Sequence, residues 1–488
     1  MIFPSQIFLL VFLPLVLIGW YGLRGLRIRL VMLTAASFVF YGWWDWRFTI
    51  LLLGTSLVDY LCAKRIVHTQ RHATKRAARA ESAARFWLIF SLVSNLGVLG
   101  FFKYAGFFAE SLNAVTDAAG GGRPVPVMDI ALPIGISFYT FQTMSYTIDV
   151  YRGRCKLAKD FLHFAAFVSL FPQLVAGPIV RYADLEEQFE ELPGKKFSYT
   201  TAADGVWLLV IGLVKKVWIA DYFAPVAAMA FDQSTDVQFF TAWAGATAFT
   251  LQLYFDFSGY SDMARGLGKM LGFEFPINFN SPYQARSIAE FWNRWHITLS
   301  TWLRDYLFIP LGGSRGGLLK TVRNLFIVML LGGLWHGAAW TFVLWGIYHG
   351  VLLGLHAMWR HADARRLPAL VAVPGTLLLV IVGWVLFRAH SVPQALDLYA
   401  AMAGLRGMEP LAHYSQTLGL YLPTLYGTFG GMHGLMFLIV ATAWSILAPN
   451  SQSTARPKHP AFATVLSIIV VITITTLQTE APFLYYQF

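Results

Sequence analysis

Two histidines stand in surroundings where an imidazole could do chemistry. His336 lies in the uncharged, apolar run 330–340, with glycines at positions 332, 333 and 337. His296 lies in the aromatic and polar run 287–305. An ionisable side chain inside an apolar run is costly, so function is the first hypothesis for His336. The alternative is a buried histidine that bonds to a carbonyl of the next helix. We interpret His349, which lies near Tyr348, as structural.

Acyl transfer is a reaction that suits such histidines. A hydroxyl is a poor nucleophile near neutral pH, and a positioned neutral imidazole can take its proton as it attacks a thioester carbonyl. A second polar group can position the acceptor or stabilise the developing oxyanion. His336 and His296 could divide these roles, with His336 as a base, an acyl relay or a positioning group.

Other chemistries are less well supported by the motifs. The sequence contains neither a G-x-S-x-G nucleophile elbow nor an H-E-x-x-H zinc motif. His336, His296 and Asp262 could in principle bind a metal, but their spacing does not favour it. We therefore predict neither a metal nor a bound cofactor.

The composition places these residues in a membrane. Of 488 residues, 57% are hydrophobic and 13% are charged, whereas a soluble domain usually carries about 25% charged residues. The long continuous apolar runs predict helices, since a β-barrel would alternate apolar and polar residues. The net charge of +11 indicates basic cytoplasmic loops, not a nucleic-acid partner.

The apolar segments that must position the histidines run along the whole chain. We predict an all-α polytopic protein with about eleven to thirteen membrane segments, some of them re-entrant or interfacial. The positive-inside rule places the basic loops around 24–29 and 64–85 in the cytoplasm. We predict one membrane-embedded domain over 1–488, comprising N-terminal spans (1–130), a catalytic core (131–360) and C-terminal spans (361–488). The predicted segments lie near 4–22, 28–45, 47–63, 86–110, 130–151, 161–177, 202–222, 237–258, 322–337, 338–359, 368–388, 428–448 and 461–478.

Three regions of the chain carry more specific predictions. Pro172 and Pro178 would interrupt a simple span at 161–177 and favour a re-entrant helix. Asp256 and Asp262 are expected at or near the end of an apolar segment. They would form either a polar floor for a substrate funnel or a structural cap, with Asp262 paired to Arg265. The run 287–305 predicts one amphipathic helix in or under the membrane surface, with His296 toward its apolar side.

Several runs resemble those of a known family. Residues 291–300 and 333–337 look like the two signature histidine motifs of the membrane-bound O-acyltransferases, and the chain is most similar to the alginate O-acetyltransferase-like members. The other runs that carry the resemblance are 1–5, 37–44, 132–139, 256–262, 383–388 and 483–488.

This resemblance implies roles, partners and a location. It implies that His336 and His296 are catalytic, and that a ring of tilted helices surrounds a thinned centre with a central tunnel. It implies a multi-pass protein of the bacterial inner membrane. Acetyl groups from a cytoplasmic donor, acetyl-CoA or another acyl thioester, would cross the membrane at the thinned centre. A periplasmic partner with an SGNH-type esterase fold would place them on an exopolysaccharide such as alginate, beside the polysaccharide synthesis and export machinery.

Other functions stay open at this point. Relatives with the same motifs acetylate cellulose or peptidoglycan, and a more distant one handles D-alanine for teichoic acid. A non-enzymatic transporter would move solute without a thioester donor. A scaffold for polysaccharide export would not need His336.

Overall fold

The chain folds into helices throughout the part that we describe. The computed structural model describes residues 1–71, 77–192, 197–232, 237–363, 367–410, 432–451, 456, 460–477 and 483–484, and within these ranges it contains no strand. The helices are α1 (Leu13–Gly22), α2 (Leu26–Gly42), α3 (Arg47–Arg71), α4 (Ala77–Leu99), α5 (Ala105–Ala118), α6 (Ile136–Tyr151), α7 (Phe161–Ser169), α8 (Phe171–Leu174), α9 (Tyr182–Glu191) and α10 (Tyr199–Val214). They continue as α11 (Asp221–Phe231), α12 (Phe239–Leu271), α13 (Ile288–Arg294), α14 (Ile297–Leu303), α15 (Leu318–His336), α16 (Trp340–His361), α17 (Ala369–Arg388), α18 (Val392–Met402), α19 (Met432–Leu447) and α20 (Pro460–Thr476).

Several helices are suited to a bilayer. Within the described ranges, four helical stretches are long and apolar enough to cross it. They are Ala78–Ala118, in which α4 continues into α5, and the single helices Leu318–His336, Trp340–His361 and Ala369–Arg388. Shorter apolar helices lie at Phe8–Gly22, Leu435–Leu447 and Leu466–Thr476. Many large apolar side chains on these helices are exposed, as a lipid-facing surface requires. The prediction of an all-α polytopic membrane protein is confirmed, whereas the count of eleven to thirteen segments stays a prediction.

The helices form two compact units. The first comprises Met1–Leu209 and Met263–Pro276, and the second comprises Val210–Asp262 and Ile277–Thr476. In the first unit, α3 packs against α4, α6 and α7. In the second, α15 packs along α16, and α13 contacts α16 and α17. Both histidine motifs lie in the second unit.

Local breaks decide how the chain runs through two of the predicted regions. The segment 161–177 is broken, because Leu170 leaves the helical conformation between α7 and α8. The prediction of one helix over 287–305 is wrong. The chain leaves the helical conformation at Trp295 and His296, so α13 and α14 are separate helices.

Asp256 and Asp262 lie at or near the end of the predicted apolar segment 237–258, but this segment is part of a longer helix. Helix α12 is 33 residues long and extends to Leu271. Asp256 and Asp262 therefore lie inside a continuous helix and not at its end. Both side chains are almost fully buried.

Candidate active site

His336 is the last residue of α15. The chain is extended at Gly337, and α16 begins three residues later at Trp340. The side chain is only 4% exposed. This turn therefore places the imidazole at a helix end inside the second unit.

Aromatic rings surround the His336 imidazole. The centroids of the Trp335, Trp345 and Phe387 rings lie 5.0, 5.1 and 5.2 Å from its own. Trp345 and Phe387 present their edges or faces nearly at right angles to it, at 84° and 72°. Such a cage fixes the orientation of the ring and lowers the local dielectric constant, which strengthens electrostatic interactions with a bound substrate.

The glycines around His336 serve helix packing. A Cβ on Gly346 would lie 2.6 Å from the Met329 carbonyl oxygen, and one on Gly333 would overlap the Phe342 carbonyl. A Cβ on Gly337 would overlap the Phe342 ring. Helix α15 therefore approaches α16 closely, and the space beside Gly337 is filled by the Phe342 ring.

His296 occupies the break between α13 and α14. Its backbone adopts φ 43° and ψ 55°, a left-handed conformation that is uncommon for a residue with a side chain. The side chain is fully buried. Strained backbone of this kind persists only where surrounding contacts fix it, and it is concentrated at functional sites.

Asn278 determines the tautomer of His296. The backbone N–H of Thr298 donates to the Asn278 side chain at 3.3 Å, so the atom that faces it is the oxygen Oδ1. His296 Nδ1 lies 3.1 Å from the same oxygen and must therefore carry a hydrogen. In the neutral ring, Nε2 is then the nitrogen with the lone pair, as a proton acceptor requires.

The Asn278 side chain is itself held by further contacts. The Thr298 hydroxyl donates to Oδ1 at 2.9 Å, and Nδ2 donates to the Ser261 hydroxyl on α12 at 3.2 Å. Asn278 is fully buried. Asn278 was not predicted as a site residue, because its contact with His296 depends on tertiary folding of a residue 18 positions earlier in the chain. An amide in the otherwise apolar stretch 275–279 was the available signal.

One aromatic cluster connects the three histidines. The Trp335 ring lies 6.2 Å from the ring of His296 and 5.0 Å from that of His336. The Trp345 ring lies 5.1 Å from the ring of His336 and 4.8 Å from that of His349. The structure thus brings His336 and His296 to a common indole, and it adds His349 to the same cluster.

His349 has the opposite tautomer. The Trp292 indole N–H points at His349 Nδ1 at 3.4 Å, and an indole can only donate. The hydrogen of the neutral imidazole is therefore on Nε2, which has no hydrogen-bond partner among the described residues. The structural interpretation of His349 stays a prediction.

Two adjacent lysines pair with the aspartates of α12. Lys215 Nζ lies 2.6 Å from Asp262, where the sequence had suggested Arg265 as the partner. Lys216 Nζ lies 2.7 Å from Asp256 and 2.8 Å from Asp221. These lysines were not predicted as partners, since they lie in an apolar segment 40 or more positions before the aspartates of α12. The aspartates are therefore paired charges within the second unit.

In the part of the chain that the structure describes, no group of three or more His, Cys, Asp or Glu side chains is arranged to hold a metal ion.

Comparison with known proteins gives the family. Residues 158–368 match the model of the membrane-bound O-acyltransferase family. A probable alginate O-acetylase AlgI from Azotobacter vinelandii is 42% identical over the whole of both chains, and one from Pseudomonas aeruginosa is 48% identical over 82% of this chain and 75% of its own length. A peptidoglycan O-acetyltransferase from Helicobacter pylori is 34% identical over all of this chain and 98% of its own length. The chain therefore belongs to the membrane-bound O-acyltransferase family and is a multi-pass membrane enzyme that takes an acyl group from a donor substrate.

Proposed function

We propose that the protein moves acetyl groups from a cytoplasmic thioester, acetyl-CoA or another acyl thioester, across the bacterial inner membrane for O-acetylation of an exopolysaccharide. Alginate is the favoured polymer, because the alginate O-acetylases cited above match this chain at 42% and 48% identity. The observation that carries the proposal is the buried imidazole of His336, which lies in an aromatic cage at a helix end and shares an indole with His296.

We assign the central step to His336. Its neutral imidazole accepts the proton of an acceptor hydroxyl while the hydroxyl oxygen attacks the thioester carbonyl carbon. The tetrahedral intermediate collapses, the carbon–sulfur bond breaks, and the imidazolium returns the proton to the departing thiolate. An O-acetyl ester and a free thiol are the products, and the imidazole is regenerated. The apolar cage supports this assignment, because it keeps water, a competing acceptor, away from the thioester.

His296 is assigned to the acceptor. Its Nδ1 hydrogen faces Asn278 Oδ1, so Nε2 carries the lone pair that can accept a hydrogen bond from a hydroxyl. The left-handed backbone and the Asn278 contact fix the direction of the ring before substrate arrives. Such preorganisation supports a positioning role for His296 beside the transfer role of His336.

The remaining parts of the proposal concern organisation and partners. Residues 1–488 act as one acyltransferase domain with its catalytic core in 131–360, a range that overlaps most of the family match at 158–368. The acyl group passes through a central tunnel in a ring of helices. A periplasmic protein with an SGNH-type esterase fold then places the acetyl group on the polymer, within the polysaccharide synthesis and export machinery.

A transfer assay in liposomes tests the function. Purified protein is reconstituted with labelled acetyl-CoA on one side of the membrane and a polysaccharide acceptor, with its partner, on the other. We expect His336→Ala to abolish transfer of label. The matched control is His361→Ala, which removes an exposed histidine at the far end of α16 and should leave transfer unchanged. Normal transfer in the His336→Ala protein, at normal expression and monodispersity, would exclude the proposed mechanism.

The same experiment separates the competing functions. A transporter would move solute in liposomes that lack a thioester, and a scaffold would be unaffected by His336→Ala. Replacing alginate by peptidoglycan or cellulose as the acceptor tests the other polymers. Peptidoglycan has specific support from the relative at 34% identity.

A further inference from the structure

A cavity with several polar side chains in its wall lies in the first unit. It has a volume of about 310 Å³ and is formed by the end of α1, the start of α2, the first turn of α10 and the end of α12. The polar side chains in its wall are those of Tyr21, Arg29, Ser198, Thr201, Lys269 and Glu274. None of these residues has a part in the proposed acyl transfer.

Arg29 is the unusual member of this wall. Its guanidinium lies 4.1 Å from the centroid of the Trp20 ring, which holds it in place by a cation–π contact. Among the described residues Arg29 forms no salt bridge, and its Nε is buried without a hydrogen-bond partner. A guanidinium fixed in this way in the wall of a cavity, with no salt-bridge partner among the described residues, is suited to a phosphate or carboxylate.

The other charges of the wall are already compensated. Lys269 forms a salt bridge with Glu274, so this pair adds no net charge. The last carbonyls of α12 also have donors, because Tyr21 donates to Met270 at 2.7 Å and the Trp20 indole donates to Leu271 at 3.0 Å. The Arg29 guanidinium therefore gives the charged side chains of the wall a net charge of +1.

The first turn of α10 adds polar groups that favour an anion. Ser198 and Thr201 bring hydroxyls to the wall, and the N-terminal end of a helix attracts negative charge. Helix α10 is 16 residues long, so its dipole is well developed. The Thr201 and Ser198 hydroxyls are hydrogen-bonded to each other at 3.1 Å, which leaves one hydroxyl hydrogen of the pair to donate to an anion. This donor and the guanidinium together suit a phosphodiester, which carries a single negative charge.

The surroundings of the cavity indicate the membrane surface. Phe197 and Tyr199, beside the cavity, are 46% and 84% exposed, and the Phe197 ring packs 4.9 Å from that of Tyr21. Exposed aromatic rings are typical of the headgroup level of a bilayer. Arg24 lies in the loop before α2 and Arg27 in the first turn of α2, and the positive-inside rule assigns both to the cytoplasmic side.

We propose that this cavity binds the phosphate ester of a phospholipid headgroup, with Arg29 as the anchoring residue and the hydrogen-bonded Ser198–Thr201 hydroxyl pair as a further contact. The lipid is drawn from the cytoplasmic leaflet and packs its chains against the exposed aromatic rings at 197 and 199. A soluble phosphate ester, such as that of coenzyme A, has the same chemistry and is the second source to be tested.

Lipid retention by purified protein provides the test. The full chain is delipidated in detergent, phosphatidylglycerol is added back, and bound lipid is counted by native mass spectrometry. We expect one retained lipid, with its affinity lowered about tenfold or more in Arg29→Gln, since a charge-assisted pair is lost. The matched control, Arg24→Gln, removes the same charge from the adjacent loop outside the cavity and should change the affinity by less than about twofold.

A parallel arm replaces the lipid with coenzyme A or inorganic phosphate. Retention of lipid that soluble phosphate does not displace supports the headgroup as the ligand. Binding of coenzyme A without lipid, lost in Arg29→Gln, supports the phosphate site and assigns it to the soluble source. Equal losses in Arg29→Gln and Arg24→Gln would overturn the site, because charge alone would then explain binding.

Two further variants keep the proposal testable if Arg29→Gln does not fold. Arg29→Lys retains the charge but loses the planar fork, and Thr201→Val removes one hydroxyl at nearly constant volume. We expect both to weaken retention about threefold to tenfold with normal thermal unfolding. Wild-type retention in both variants would overturn the proposed contacts.

Discussion

Asn278 offers the sharpest test of the geometry around His296. Its Oδ1 accepts from His296 Nδ1, from the Thr298 N–H and from the Thr298 hydroxyl, and its Nδ2 donates to Ser261. Replacing Asn278 by alanine removes the acceptor of the imidazole hydrogen. The tautomer and the direction of the His296 ring are then no longer fixed, while His296 itself remains.

The expected magnitudes follow from these contacts. A buried hydrogen bond contributes about 1 kcal/mol, and a buried donor left without a partner costs about 1–3 kcal/mol. Asn278→Ala should therefore lower the free energy of unfolding by about 2–4 kcal/mol. Loss of a group that orients a functional histidine lowers activity about 10–100-fold at metal sites, and we expect a fall of this size in kcat.

Two matched variants separate orientation from stability. Thr298→Val and Ser261→Ala each remove one contact of Asn278 but leave its bond to His296 intact. We expect each to lower stability by about 1 kcal/mol and to change kcat by less than about threefold. Rates are measured as transfer of labelled acetyl groups per amount of monodisperse protein in liposomes. If all three variants lose activity equally, or if Asn278→Ala keeps wild-type kcat, the orienting role is refuted.

Other consequences concern packing and buried charge. Lys216→Met leaves the paired carboxylates of Asp256 and Asp221 without their cation, and it should lower the free energy of unfolding by about 3–5 kcal/mol, more than Asp256→Asn. Thermal unfolding followed by tryptophan fluorescence checks this order, and the reverse order would contradict the pairing. Gly346→Ala should destabilise by about 1–3 kcal/mol because its Cβ would meet the backbone of α15, whereas Gly375→Ala, with open space around it, should be neutral or stabilise by up to about 1 kcal/mol. Equal effects of the two glycine substitutions in the same assay would show that close helix packing is not the reason.

The helices were largely predictable, because a membrane helix can be recognised from the length and hydrophobicity of its segment. Helices α15, α16 and α17 occupy Leu318–His336, Trp340–His361 and Ala369–Arg388, close to the predicted 322–337, 338–359 and 368–388. The prediction of secondary structure was least accurate around His296. The segment 287–305 has the periodicity of one helix, yet the chain leaves the helical conformation at Trp295 and His296.

The sequence by itself determined that this is a membrane protein of the all-α class, which family it belongs to, and that His336 and His296 are the candidate site residues. These properties depend on local composition and on the order of residues in short motifs, and both can be read from the sequence without the fold. Tertiary structure alone decided the partners: the Asn278 amide that fixes the His296 tautomer, the indole that His296 and His336 share, and the lysines that neutralise Asp256 and Asp262. Such pairings join residues from distant parts of the chain, and no local pattern specifies which polar groups will meet when the apolar faces pack together.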